Sequence, residues 1–145
     1  MANPTMAKFG YPASLVAETA HWSVLLRPQA PTLGSLVLVC REAARSFADL
    51  SPDAFADLKL AVTGIERVLR EFVAFERINY LMLMMVDPDV HFHVIPRYAG
   101  ERRHGETRFP DAGWPGPPAL GEAVALGEAD VGAIRDRLAA LWNAA

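Results

Sequence analysis

The segment from Val86 to Tyr98 reads VDPDVHFHVIPRY. Polar and apolar residues alternate along it, which is the period of a β-strand, where residues two apart share a face. Val90, Phe92 and Val94 are expected to point into a core, and Asp89, His91, His93 and Arg97 to line the opposite face. The residues just before it, Arg77–Met85 (RINYLMLMM), read as an apolar strand. VDP turns the chain, so the two runs form a hairpin. An ordinary solvated face explains isolated polar residues. Two histidines in register with an acid suggest a site instead.

Two chemistries fit that row. In the first, a neutral imidazole attacks phosphorus in a phosphate ester or anhydride, and water later releases the phosphoramidate. The second histidine then works on the leaving group, as acid or hydrogen-bond donor. In the second, Asp89, His91 and His93 supply three ligands of types that zinc, manganese or iron accept. Arg27, Arg97, Arg102 and Arg103 are candidates for gripping phosphate oxygens. Arg102 and Arg103 read more simply as parts of a solvated loop, and His21 and His104 as surface or capping histidines. Trp114, in GWPGPP, reads as part of a packed tail.

Upstream, Ser14–Thr19 and His21–Arg27 read as short strands and Ser35–Arg41 as a third, rich in valine and leucine. Pro28, Pro31 and Gly34 make the turn between the second and third. Ser51 opens a long helix, with Pro52 at the first helical position and Asp53 at the positive end of the dipole. Phe55, Leu58, Val62, Ile65, Leu69 and Phe72 mark its apolar stripe. Gly64 costs that helix about 1 kcal/mol relative to alanine and suits a close contact. Residues 99–127 are rich in glycine, proline and arginine, expected as a flap or an arm. A final helix spans Glu128–Trp142 with Val131, Ile134, Leu138 and Leu141 on one stripe. The order predicts an α+β fold with a mostly antiparallel sheet and helices on one face: a core over 1–98 and a tail over 99–145.

The chain has 145 residues, 52% of them hydrophobic, enough for one domain to bury roughly 70% of its unfolded-chain surface. A formal charge of −3 gives no footprint for DNA or RNA. The single cysteine, Cys40, excludes an internal disulfide and reads as a buried strand residue. The N-terminus has no signal-peptide layout and no run spans a membrane, so a cytoplasmic protein is expected.

DVHFHVIPR resembles the signature of the histidine triad (HIT) superfamily of nucleotide hydrolases and transferases, His-φ-His-φ-His-φ-φ (φ apolar) followed by Pro-Arg. The resemblance extends over Leu15–Tyr98, through PTLGSLVLVCRE and FADLSPDAFADL. It implies a five-stranded antiparallel sheet with a long helix, and a homodimer whose sheets join across a two-fold axis. It also implies cleavage or transfer at the α-phosphate of a small nucleotide conjugate, with His91 as nucleophile, His93 assisting, and no cofactor. The expected substrates are phosphoramidates, dinucleoside polyphosphates or nucleotidyl sugars. Three departures stand out. Asp89 replaces the first triad histidine. No counterpart of the family's glycine-rich loop with its glutamine precedes the triad. Arg27 falls where a ribose-contacting asparagine is common. A carboxylate at Asp89 would favour the imidazolium of its neighbours and repel an anionic substrate by on the order of 4 kcal/mol at 4 Å, unless it turns away or orients a histidine. Two alternatives follow: a nucleotide-binding protein with impaired catalysis, and the metal site of Asp89, His91 and His93.

Overall fold

The computed structural model describes residues 2–144, and the chain starts in a short helix that hydrophobic periodicity does not reveal. Asn3 caps it by accepting from the Met6 N–H, and Pro4 fills the first position of α1 (Pro4–Lys8). Strands β1 (Leu15–Glu18), β2 (Trp22–Leu26), β3 (Gln29–Ala30) and β4 (Leu36–Cys40) precede the long helix α2 (Pro52–Val73). Then come β5 (Arg77–Leu81), β6 (His91–Arg97), β7 (Glu101–His104), β8 (Thr107–Pro110), β9 (Val124–Ala125) and α3 (Glu128–Asn143). The main sheet has five strands in the order β1-β2-β4-β6-β5, with every pairing antiparallel. This is the expected α+β architecture, with its two longer helices packed on one face.

Register divides the two faces. Leu36 pairs with Val94 and Leu38 with Phe92, and these residues belong to the main core under α2 and α3. Val37 pairs with His93 and Val39 with His91 on the opposite face. There a second cluster of Met6, Phe9, Leu25, Val37 and Val39 forms, closed by the N-terminal segment. The histidine face is therefore a buried face roofed by residues 3–11 and not a solvated one.

Ser51 caps α2 through a 3.1 Å bond from the Ala54 N–H. The stripe expected on α2 is rotated. Ala54, Ala61, Ile65, Val68, Leu69 and Val73 are buried, whereas Phe55 is 41% exposed and stacks near Phe47. At Ala54 the helix meets β2 directly, its carbonyl accepting from the Trp22 indole N–H at 2.9 Å. Gly64 does meet a close neighbour, since the Trp142 ring of α3 rests against its Cα. Arg67 of α2 donates to the carbonyls of Leu141 and Trp142, both at 2.9 Å, and so closes the free end of α3.

The hairpin strands are shorter than expected. β5 stops at Leu81 rather than Met85, and β6 starts at His91 rather than Asp89. Residues 82–90 form an irregular loop in which Met84 takes a left-handed φ of 53°. The tail is also more ordered than its composition suggests. β7 and β8 make a hairpin turning at Gly105, β9 pairs with β3, and Phe109 is fully buried. Arg102 is a cap rather than a solvated loop residue. Its Nε donates to the Val73 carbonyl at the end of α2, and its guanidinium lies 4.4 Å from the Tyr98 ring centroid. Cys40 is buried at the end of β4.

Candidate functional site

Strand alternation delivers His91 and His93 to one face of β6, with ring centroids 5.2 Å apart and planes nearly perpendicular. They form the floor of a cavity of about 460 Å³. Lys8 and Phe9 make one wall, Arg27, Pro28 and Gln29 a second, and the loop from Leu83 to Asp87 a third. Phe9 lies 6.3 Å from the His91 ring and 5.9 Å from the His93 ring, edge-on to the latter. Both histidines are buried, at 2% and 7% exposure, and this cavity gives access to the imidazoles.

The His91 tautomer follows from its partner. Its Nδ1 lies 2.7 Å from the backbone carbonyl of Asp89. A carbonyl only accepts, so Nδ1 carries a proton, and in the neutral ring Nε2 holds the lone pair. His93 is neutral for a different reason. Burial, with the Arg27 guanidinium and His91 adding to it, pushes its pKa down to about 4. Its Nδ1 is buried and has no partner among the described residues.

Arg27, just past β2, is the cation of this cavity without an acidic partner among the described residues. Its guanidinium donates to the Gln29 carbonyl, and its buried Nε has no partner. Burial lowers its pKa from the usual arginine value. Lys8, by contrast, is paired with Asp87 at 2.9 Å across the cavity mouth. The opposite wall is apolar, with Leu83, Met85 and Val86 exposed at 48%, 85% and 81%.

Two expected site residues lie elsewhere. The Asp89 side chain does not line the cavity. Its Oδ2 accepts from the Thr5 N–H at 3.2 Å and the Thr5 hydroxyl at 2.9 Å. The carboxylate therefore anchors α1, and only its carbonyl reaches a histidine. This also removes the third ligand from the Asp89–His91–His93 metal arrangement. Among the described residues no group of three or more His, Cys, Asp or Glu side chains is placed to hold a metal ion. Arg97 is expected beside the histidines and instead lines a separate cavity with Arg77, Asn79 and Trp114. It forms a two-pronged ion pair with Asp111 at 2.8 and 3.0 Å, and donates to Asn79 at 2.8 Å. A buried guanidinium needs such a partner, and the tail supplies it.

Thr5, Lys8 and Phe9 are the site residues that strand reasoning misses. Their signal is Asn3-Pro4, a helix cap followed by proline at the first helical position. His21 stands apart, beside Asp57 and Glu42 at 3.7 and 4.0 Å, where Asp57 also braces the β1–β2 turn.

The family model HIT domain matches residues 9–100. A histidine triad protein from Marinobacter aquaeolei VT8 is 21% identical with a TM-score of 0.76, the match covering 99% of this chain and 96% of that one. A histidine triad protein from Bradyrhizobium japonicum is 21% identical with a TM-score of 0.72, covering 95% and 94% of the two chains. A diadenosine triphosphate hydrolase from Plasmodium falciparum is 10% identical with a TM-score of 0.69, covering 92% and 78%. These likenesses establish the shared fold. No curated protein sequence matches the chain.

Proposed function

The chain belongs to the HIT domain family, and from that premise we propose that it hydrolyses or transfers the nucleoside monophosphate of a small nucleotide conjugate, with His91 as nucleophile. The observation that carries this reading is the 2.7 Å bond between His91 Nδ1 and the Asp89 carbonyl. In the neutral ring it leaves the Nε2 lone pair free, in a cavity where Arg27 is the cation without an acidic partner among the described residues. In the first step the Nε2 lone pair forms a bond to the α-phosphorus, and the bond from phosphorus to the leaving group breaks with its electron pair. The Nδ1 proton stays on the ring against the Asp89 carbonyl. The leaving group takes a proton from His93 or from water. In the second step water forms a bond to phosphorus, the phosphorus–Nε2 bond breaks with its electron pair returning to His91, and the proton lost by water passes to His93 or to solvent.

With its pKa pushed down to about 4, His93 is neutral at physiological pH. A bound phosphate raises its affinity for a proton, so substrate itself readies His93 to serve the leaving group. Arg27 is the guanidinium assigned to phosphate oxygens. Asp89 takes no part as a charged group in this scheme, and Arg97 serves the fold. A homodimer belongs to the same reading. β5 is an edge strand of the sheet, and Phe47 and Phe55 are exposed at 45% and 41%.

Product formation from adenylyl and guanylyl phosphoramidates, dinucleoside polyphosphates and nucleotidyl sugars, with wild type and His91→Ala side by side in EDTA, tests the scheme. Turnover lost in the variant and insensitive to EDTA is expected. An active His91→Ala variant, or EDTA-sensitive turnover, removes it. Nucleotide binding without turnover in wild type leaves a binding protein on this fold.

A further inference from the structure

We propose that Thr5 is a positioning residue for His91, acting through Asp89, so that the N-terminal helix sets the tautomer of the reacting imidazole. The inference rests on the reading of His91 as nucleophile.

The β6 ladder extends as far as Val90, whose carbonyl accepts from the Cys40 N–H at 2.9 Å and whose N–H donates to Ala44 at 3.3 Å. Asp89 lies one residue beyond. Among the described residues its hydrogen bonds go to Thr5 and His91 alone. Oδ2 accepts the Thr5 N–H at 3.2 Å and the Thr5 hydroxyl at 2.9 Å. The Asp89 N–H donates back to the same hydroxyl oxygen at 3.2 Å. The hydroxyl thus gives its one proton and accepts one, in a site where Thr5 is 0% and Asp89 5% exposed. These three bonds hold Asp89 on one side, and its carbonyl meets His91 Nδ1 on the other. Outer groups of this kind fix ring orientation and tautomer. Without them the peptide after Asp89 keeps only the 3.3 Å bond from the Val90 N–H to the Ala44 carbonyl, and its own carbonyl drifts from Nδ1. The imidazole then populates the Nε2–H tautomer, with its lone pair turned away from the cavity.

Thr5→Val keeps the shape of the side chain and removes the hydroxyl. Nitrogen-15 NMR of the histidine rings in the full chain is expected to show His91 losing its pure Nδ1–H signature. In turnover, kcat is expected to fall roughly tenfold to a hundredfold with KM little changed. Thr5→Ser restores both. Thr5→Ala, which cannot overpack the site, is expected to behave as Thr5→Val does. A wild-type His91 tautomer in folded Thr5→Val or Thr5→Ala overturns the assignment, as does a failure of Thr5→Ser to restore it. The NMR arm needs no substrate. If the wild type turns nothing over while the tautomer still depends on Thr5, it is the catalytic reading that fails and the positioning that stands.

Discussion

His93 and Arg27 sit side by side in the cavity, and each titrates or charges at a cost to the fold. The folded pKa of His93, about 4, lies below the ordinary 6.5 of an unfolded histidine. Below about pH 6.5 the unfolded chain therefore binds a proton that the native state refuses, and stability rises with pH across that window. The contribution is intact at neutral pH and is lost progressively as pH falls from about 6.5 toward 4. By pH 5 the loss is about 1–2 kcal/mol, allowing for partial solvent access. Urea unfolding at pH 7.5 and pH 5.0 should show this drop in wild type and a smaller one in His93→Gln. Equal drops in the two proteins would rule it out. Arg27 makes the opposite trade. Its buried Nε lacks a partner, so Arg27→Met should leave stability unchanged or slightly higher. The same change should weaken binding of adenosine monophosphate by about ten- to a hundredfold, the value of a lost charged hydrogen bond. Calorimetry on both proteins measures this, and an unchanged Kd would take Arg27 out of the phosphate site. Both histidines are visible in the sequence because strand alternation fixes their side, and Arg27 because the resemblance expects a substrate-contacting residue at its position. Asp89 is not, because its direction depends on Thr5, 84 positions away in the chain.

Elements that contact one another far along the chain carry the next effects. Gly64 of α2 lets the Trp142 ring of α3 approach so closely that an added Cβ would lie 2.4 Å from it. Gly64→Ala gains about 1 kcal/mol of helix propensity but forces the indole out of its seat, and overpacking of this kind costs about 1–3 kcal/mol. A lower melting temperature is expected, and a higher one would mean that the ring moves freely. Asp111 joins the tail to β6 through Arg97, in an ion pair whose side chains are 1% and 4% exposed. Asp111→Ala strands that guanidinium and should cost about 3–5 kcal/mol. Nucleotide affinity should be unaffected, because Arg97 opens on a different cavity from the histidines. An affinity loss with unchanged stability would return Arg97 to the substrate. The strands and long helices follow from period, caps and turn residues that are all local. What escapes the sequence is set by partners. The buried side of α2 takes in Ala54 and Ala61, which a stripe drawn through large apolar residues does not mark, and α1 has only five residues to show a pattern. Residues 99–127 read as irregular because Gly and Pro dominate. Yet Phe109 and Asp111 are buried there by contacts to the core.

At the scale of the whole molecule, the sheet is covered on both faces but not at both edges. On the histidine side it is roofed by residues 3–11, and on the other by α2 and α3. β5 pairs with β6 alone, so its outer backbone groups are open to another strand. Beside that edge a largely apolar groove of about 280 Å³ runs between α2 and the sheet, lined by Leu38, Leu58, Val62, Tyr80, Phe92 and Glu66, whose carboxylate accepts from the Tyr80 hydroxyl at 2.7 Å. Phe47, packed edge-on to Phe92 and near Phe55, extends the apolar surface. A second copy related by a two-fold axis would present the same strand edge and the same groove, which is the self-complementarity that a two-fold interface requires. A homodimer of the 15.8 kDa chain is therefore expected at micromolar concentration. Val62→Glu adds a second carboxylate to the groove beside Glu66 and should yield a monomer with unchanged circular dichroism. Sedimentation velocity on both proteins decides it: a monomeric wild type removes the dimer, and a dimeric Val62→Glu moves the interface to another face. The histidine cavity lies on the opposite face of the sheet from that groove. Val62→Glu should therefore keep its affinity for adenosine monophosphate, and a loss in the monomer would mean that the partner copy completes the site.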